Sequence, residues 1–356
     1  MKKYGVAIDI GTTTLTAGLI ELATANEAAV FVDTNPQTKF GEDVISRLDY
    51  CIKHKTGLRQ MHDAIISGIN TAVAKIAKEA GIEIQSIEKL VVVGNTVMEH
   101  FFLRVPADSL AGAPYASGLQ KGIIDTTADK VGLSLNKDVK VYLLPIVKSF
   151  VGSDLTAGVL YADLFGKSGM NILVDIGTNG EMALVSDKKF LVTSTAAGPA
   201  FEISDKGILG SEIIDIVSSL LAGGVIDKTG KLKTENEKIT QNDIRRIQVA
   251  KAAIMAGMIA LVNKAGLRFE DIENLYVSGK FGNLINKSAA IKIRLLPDID
   301  KSRIKFIGNS AYKGAVLALC SESAMRKTEE IAEKAIHLSL FGRKDFQDEF
   351  VKNMSF

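Results

Sequence analysis

The 356-residue chain is poor in the side chains that usually hold metal cofactors. It has two cysteines, Cys51 and Cys320, and four histidines, His54, His62, His100 and His337. The cysteines lie far apart, and neither they nor the histidines fall in a metal-ligand spacing. Both thiols sit in helical patterns among apolar neighbours, where a cysteine acts as a small hydrophobe. No iron–sulfur cluster and no zinc site is expected from this chain alone. Charge of one sign is also missing. Against 43 Lys and Arg stand 41 Asp and Glu, a formal charge of +2, so nothing suggests a nucleic-acid partner. No apolar run approaches the ~20 residues of a membrane helix. Met1 to Gly5 lead straight into a strand pattern, without the features of a secretory leader. A cytoplasmic protein with no membrane partner is the expectation.

What the chain does have is one phrase written twice. Asp9-Ile10-Gly11-Thr12-Thr13-Thr14 follows the apolar run Val6-Ala7-Ile8, and Asp175-Ile176-Gly177-Thr178-Asn179-Gly180 follows Ile172-Leu173-Val174. A second apolar run succeeds each copy, Leu15 to Leu22 and Met182 to Val185. The pattern predicts a buried strand, a tight turn and a returning strand. The copies lie roughly 170 residues apart, about the length of one lobe. Strands alternating with helices, and two three-strand openings (5–10, 14–22, 27–34 and 171–176, 181–186, 189–194), argue for an α/β protein of two similar lobes. The expected division is 1–168, 169–335 and a C-terminal strand and helix at 336–356. Helices are expected after Gly41, with Val44, Ile45, Leu48 and Ile52 on one face. Further helices are expected at 58–80, 153–165, 211–222, after Thr240, and at 310–320 and 323–335. Residues between Thr96 and the strand at 139–146 read as irregular.

Each turn has the parts of a phosphate site. Gly11 and Gly177 permit close approach, and Thr12, Thr13, Thr14, Thr178, Asn179 and Gly180 add hydroxyl, amide and backbone donors. Asp9 and Asp175, at strand ends, suit a magnesium ion completed by water and phosphate oxygens. The alternative is a pair of structural turns with capping aspartates. Other phosphate motifs fail: Gly166-Lys167-Ser168 lacks the upstream glycine of a P-loop, and no dinucleotide fingerprint follows a strand. Gly198-Pro199 marks a break, and Gly94-Asn95-Thr96, Gly207 to Ser211 with Gly210, and Ser278-Gly279-Lys280-Phe281-Gly282 are three further glycine-rich points. Together with the repeat they have the arrangement of an adenosine clamp in a cleft. Glu181, directly after the second turn, and Glu202 are candidates to orient an attacking water, or else solvated or capping carboxylates.

These residues resemble the actin, heat-shock-chaperone and sugar-kinase superfamily, whose two ribonuclease-H-like lobes enclose ATP. Within it, Ala7 to Thr14, Asn35-Pro36-Gln37, Phe40 to Arg47, Gly94-Asn95-Thr96, Asp175 to Glu181, Ser194 to Glu202 and Phe281-Gly282-Asn283 resemble the ATPase portion of reductive activators of corrinoid proteins. Asp345 to Phe350 is similar to that family's end. The resemblance implies ATP and Mg2+ as cofactors and a corrinoid protein as partner, whose cobalt is taken from Co(II) to Co(I). It implies catalytic roles for Asp9, Asp175 and Glu181, with the two aspartates on the metal. Residues 11–14 and 177–180 would take the phosphates, with Asn95, Gly198, Gly210 and Ser211 also at the nucleotide and Gly279 and Gly282 at the adenosine. The family usually carries an N-terminal ferredoxin-like domain, which this sequence does not include. Electrons are therefore expected from such a domain elsewhere or from another protein. After Glu202 the chain reaches its next glycine-rich point sooner than the family does. A small-molecule kinase and a nucleotide-switched scaffold stay open as alternatives, as does a homodimeric state.

Overall fold

The computed structural model describes residues 2–113, 115–201, 205, 207–208, 210–279 and 285–356. In chain order the first strands and helices are β1 (Tyr4–Ile10), β2 (Thr14–Glu21), β3 (Asn26–Thr34), α1 (Val44–Lys53), α2 (Gly57–Glu79), β4 (Ile87–Gly94) and α3 (Thr96–Leu103). Next come β5 (Ile124–Thr127), α4 (Ala128–Val131), β6 (Lys140–Leu143) and α5 (Ser153–Ala162). The second half runs β7 (Met170–Ile176), β8 (Asn179–Val185), β9 (Phe190–Ala196), α6 (Gly210–Ala222), α7 (Gln241–Ala265), β10 (Ile272–Ser278) and α8 (Lys287–Lys292). It closes with β11 (Ile304–Gly308), α9 (Ser310–Cys320), α10 (Glu322–Lys334), β12 (Ile336–His337) and α11 (Lys344–Lys352).

The chain forms two compact units, and neither is continuous in sequence. One comprises 1–161 and 310–335, the other 162–309 and 336–356. This differs from the contiguous division expected above. The reason is that α9 packs on β1 and β4 of the first unit, whereas β12 pairs with β9 and α11 lies on α7 in the second.

Each unit is built on one six-stranded sheet, ordered β3-β2-β1-β4-β6-β5 in the first and β11-β10-β7-β8-β9-β12 in the second. In both, three antiparallel strands are extended by two parallel ones: β4 and β6 beside β1, β10 and β11 beside β7. This is the ribonuclease-H-like plan, formed twice in an α/β protein. Alternation along β1 explains its two faces. Val6, Ile8 and Ile10 join the core with Met61, Ile65, Ile69, Val73 and Ile76 of α2. On the other side, a Cβ at Gly5 would meet the Leu319 side chain of α9 at 2.8 Å. In the second unit, α7 supplies Ile244, Ile247, Ile254, Met258 and Leu261 to the core against β8 and β9. A reciprocal cap between Thr240 and Asp243 starts α7, and Gly266, at φ +76°, ends it.

Helix α7 is also long and apolar enough to cross a membrane by length and composition, contrary to the sequence expectation, but 78% of that window is buried inside the protein. Its apolar side chains thus belong to the core of the second unit. Near its middle, Lys251 is buried and donates from Nζ to the carbonyls of Asn353, at 2.5 Å, and Ser355, at 2.7 Å.

Two further readings of the sequence need correction. The segment after Gly94 is not irregular: Asn95 accepts from Met98 N and caps α3. All but one residue of α3 are buried, so it lacks the polar face by which an amphipathic helix is recognised. Helix α1 turns a different face inward than expected. Val44, Arg47 and Leu48 are buried, while Ile45 and Ile52 are exposed. The cysteines are partly buried, and burial pushes the Cys51 thiol up to about 11.

Candidate functional site

In the first unit Asp9 is the penultimate residue of β1, 8% exposed, paired with Thr16 of β2 and Val93 of β4. The turn Gly11–Thr13 follows, and Thr14 begins β2. A Cβ on Gly11 would sit 2.8 Å from Thr14 O, so the turn closes only over a glycine. Three successive carbonyls of this turn are held by the protein. Asn35 Nδ2 donates to Gly11 O at 2.8 Å, an Arg47 guanidinium nitrogen to Thr12 O at 2.6 Å, and Asn35 N to Thr13 O at 2.8 Å. In a planar trans peptide the C=O and the following N–H point in opposite directions. Holding the Gly11 and Thr12 carbonyls therefore turns the N–H groups of Thr12 and Thr13 the other way. Asn95 adds a side-chain hold, Nδ2 to Thr12 Oγ1 at 3.0 Å.

Behind Asn95 lies a buried polar cluster. Ser153 donates to Glu99 Oε1 from its backbone N at 3.2 Å and from its hydroxyl, and that hydroxyl accepts from Gly94 N at 3.2 Å. Glu99 Oε2 and Thr96 Oγ1 are buried without a hydrogen-bond partner. Burial raises the Glu99 carboxyl well above its ordinary value. Gly152 crosses this turn so closely that a Cβ would lie 2.3 Å from Gly94 O. His100, which received no role from the sequence, pairs Nδ1 with Thr96 O at 2.7 Å, and its Nε2 accepts from Gly118 N at 3.0 Å. It is a satisfied core histidine.

The second unit repeats the turn with different chemistry. Asp175, at the end of β7, is paired across the sheet with Glu181 of β8 and Ser278 of β10. Directly opposed residues share a sheet face, so the two carboxylates and the serine lie together. Glu181 is 7% exposed. Ser278 Oγ donates to Asp175 Oδ2 at 2.8 Å, yet burial prevails and pushes this carboxyl up to about 6. In the first unit the position of Glu181 is taken by Thr16, so the repeat is not symmetric in charge. Gly177 N donates to Asn179 O at 3.0 Å. Its N–H is thus spent inside the turn, and its contribution is room for approach.

Gly198, at φ +77°, donates from N to Thr178 O at 2.7 Å, and Thr195 Oγ1 donates to Gly180 O at 3.4 Å. Strand β9 and its exit thereby brace the second turn as Asn35 and Arg47 brace the first. Gly279, at φ +113°, lies against Asp175 and Ile176; a Cβ there would be 2.4 Å from Ile176 O and 3.2 Å from Asp175 Oδ1. Gly210 meets Phe201, where a Cβ would be 1.5 Å from the carbonyl oxygen, and Ser211 follows it, buried, in α6. Gly282 and Glu202 fall outside the described residues.

The structure thus gathers Asp9, Gly11, Thr12, Thr13, Thr14 and Asn95 in the first unit. It gathers Asp175, Gly177, Thr178, Asn179, Gly180, Glu181, Gly198 and Gly279 in the second. Asn35, Arg47, Glu99, Ser153 and Ser278 were not singled out as site residues by sequence. One signal was present: Arg47 falls between Val44 and Leu48 on what becomes the buried stripe of α1. Among the described residues no three His, Cys, Asp or Glu groups cluster to hold a metal. Each turn offers one strand-end aspartate, a donor set that fits magnesium completed by phosphate and water oxygens rather than a cage of protein ligands. Lys167, from the P-loop-like phrase, donates from Nζ to Ala162 O at 2.8 Å, an ordinary structural use.

Comparison with known proteins adds the following. Residues 4–167 match the RACo middle region, and residues 169–205 and 234–356 match the C-terminal domain of RACo, the ASKHA domain. The unmatched 206–233 begin where the sequence departs from the resemblance. The chain is 30% identical to the corrinoid activation enzyme RamQ of Eubacterium limosum, over 99% of its own length and 70% of that protein. It is 25% identical to the [Co(II) methylated amine-specific corrinoid protein] reductase of Methanosarcina barkeri, over 99% of its length and 77% of that protein. Among solved structures, a reductive activator for corrinoid, iron–sulfur protein superimposes with a TM-score of 0.92 and 33% identity. That match covers 100% of this chain and 66% of the other.

Proposed function

The chain belongs to the RACo family of reductive activators of corrinoid proteins, and from that premise we propose that it couples ATP to reduction of a corrinoid protein's cobalt from Co(II) to Co(I). The reaction takes one electron, which would come from an iron–sulfur domain or protein outside this sequence. The observation that carries the reading is the turn built twice, each copy with an aspartate at the strand end and its carbonyls held back by dedicated donors. Thr12 and Thr13 would present N–H groups to the nucleotide's phosphates, and Gly177 and Gly279 would let backbone approach them or the adenosine.

Asp9 and Asp175 would hold magnesium, which when bound neutralises phosphate charge. Glu181, beside Asp175, would orient the water that attacks the terminal phosphorus; the bond to the leaving phosphate oxygen breaks and ADP and phosphate result. Reduction of Co(II) is uphill for ordinary donors, so nucleotide turnover would supply the change in the partner that makes it feasible.

The test uses the chain with a purified Co(II) corrinoid protein, an artificial one-electron donor and MgATP. Absorbance of Co(I) should appear only with ATP. Asp9→Ala and Asp175→Ala should abolish ATP turnover while circular dichroism stays native. Full activity in either variant removes the metal assignment, and phosphate transfer to a small acceptor without Co(I) replaces the whole reading with a kinase.

A further inference from the structure

Arg47 is entirely buried, in a position where its helix would ordinarily place an apolar side chain. Burying a guanidinium is costly unless its hydrogens are well placed, and here its three nitrogens reach three separate segments. Nε donates to Gly41 O at 2.9 Å, one terminal nitrogen contacts Met98 Sδ at 3.2 Å, and the other donates to Thr12 O at 2.6 Å. The start of α1 is built for this reach. Ser46 N donates to Asp43 Oδ1 at 2.7 Å and Asp43 N to Ser46 Oγ at 3.1 Å. A Cβ on Gly41 would stand 2.4 Å from Ser46 Oγ and 3.0 Å from Arg47 N, so any side chain there would lift the helix from its seat.

Asn35 acts from the other side of the same turn. It is entirely buried. Its Oδ1 accepts from Gln37 N at 2.9 Å, which fixes the amide so that Nδ2 faces Gly11 O. Gln37 is anchored in turn, Nε2 to Met61 O of α2 at 2.9 Å. Two buried side chains, each fixed by its own partners, thus take the Gly11 and Thr12 carbonyls, and the backbone N–H of Asn35 takes that of Thr13.

We propose that Asn35 and Arg47 are positioning residues for the first phosphate turn. By holding the carbonyls of Gly11, Thr12 and Thr13 back, they set the N–H groups of Thr12 and Thr13 toward the phosphates beyond the first of a nucleoside triphosphate before the ligand arrives. Preorganised donors bind without a reorganisation cost. A guanidinium reaches the three segments from three nitrogens in a fixed plane, whereas an ammonium would have to serve them all from one. The inference rests on the nucleotide reading above.

The experiment is calorimetric titration of the wild-type chain, Arg47→Lys and Asn35→Ala with MgATP and with AMP, alongside thermal melts. Each variant should bind MgATP about tenfold more weakly, equivalent to about 1.4 kcal/mol, and AMP within about twofold of wild type. Arg47→Lys keeps the charge, so its loss reports the fork. If Arg47→Lys does not fold, Asn35→Ala carries the test. Wild-type-like MgATP affinity in the variants, or equal loss of ATP and AMP, overturns the inference. Absence of MgATP binding in the wild type instead overturns the nucleotide reading itself.

Discussion

Asn95 holds Thr12 across 83 residues of sequence, its Nδ2 donating to the threonine hydroxyl at 3.0 Å. The same side chain turns its Oδ1 to Met98 N at 3.1 Å and so starts α3. One amide therefore ties the phosphate turn to the next helix. Its two ends have separable duties.

Asn95→Asp separates them. The acceptor for Met98 N remains and the donor to Thr12 is lost. The buried carboxylate costs some stability, so the melting temperature should fall modestly, while MgATP affinity falls about tenfold. Asn95→Ala should lose both, with about 1 kcal/mol of cap stability gone as well. Melts and calorimetry on the two variants check this.

Gly279 adopts φ +113° with Ile176 O 2.4 Å from where a Cβ would be. Gly279→Ala combines a backbone conformation that L-residues avoid with a collision against main chain. A loss of about 1–3 kcal/mol from the strain alone is expected, more from the clash, read by urea unfolding. The strand end carrying Asp175 should shift with it, so nucleotide affinity should fall too.

Glu99 gives a pH dependence whose sign is fixed by burial. Its carboxyl is raised well above the ordinary value of 4.5, so between that value and the raised one the folded state holds a proton that the unfolded chain has released. Stability should accordingly decline as pH rises from about 4.5 toward neutrality. Glu99→Gln keeps the shape and the acceptor for Ser153 without the titration. Denaturant unfolding across this range should show a flatter profile for the variant and equal or greater stability at neutral pH.

Lys251 slopes the other way. Burial, reinforced by the charge of Arg294, brings its ammonium down from 10.5 to about 7. Between these values the unfolded chain binds the extra proton, so stability should rise with pH from about 7 toward 10. Lys251→Met should flatten that rise. It should also free the residues from Asn353 onward, measured as faster amide exchange there, because their carbonyls lose the ammonium.

Both acidic turns, their flanking strands and the long helices α2 and α7 were legible because each follows from local pattern. An apolar run before Asp-Ile-Gly-Thr can only be a buried strand ending in a tight turn. A stripe such as Met61, Ile65, Ile69, Val73 and Ile76 has helical spacing, and all five side chains are buried. Helix α3 was not legible, since Thr96-Val97-Met98-Glu99-His100-Phe101-Phe102 is buried all round and shows no period. The inward face of α1 was misread for a related reason. Counting apolar residues selects Ile45 and Ile52, but the hydrogen bond from Arg47 to Thr12 O sets the helix's rotation.

Local pattern set the two strand–turn–strand openings, the glycines on which their turns close and the aspartates one residue from the ends of β1 and β7, because strand alternation and glycine's freedom act over a few residues. Long-range packing alone selected that 310–335 folds with the first unit, that Asn35, Arg47 and Asn95 converge on one turn, and that Ser278 bonds Asp175. Those contacts join segments tens to hundreds of residues apart. They are selected by the need of buried polar groups for partners, and no local pattern records which partner will be found.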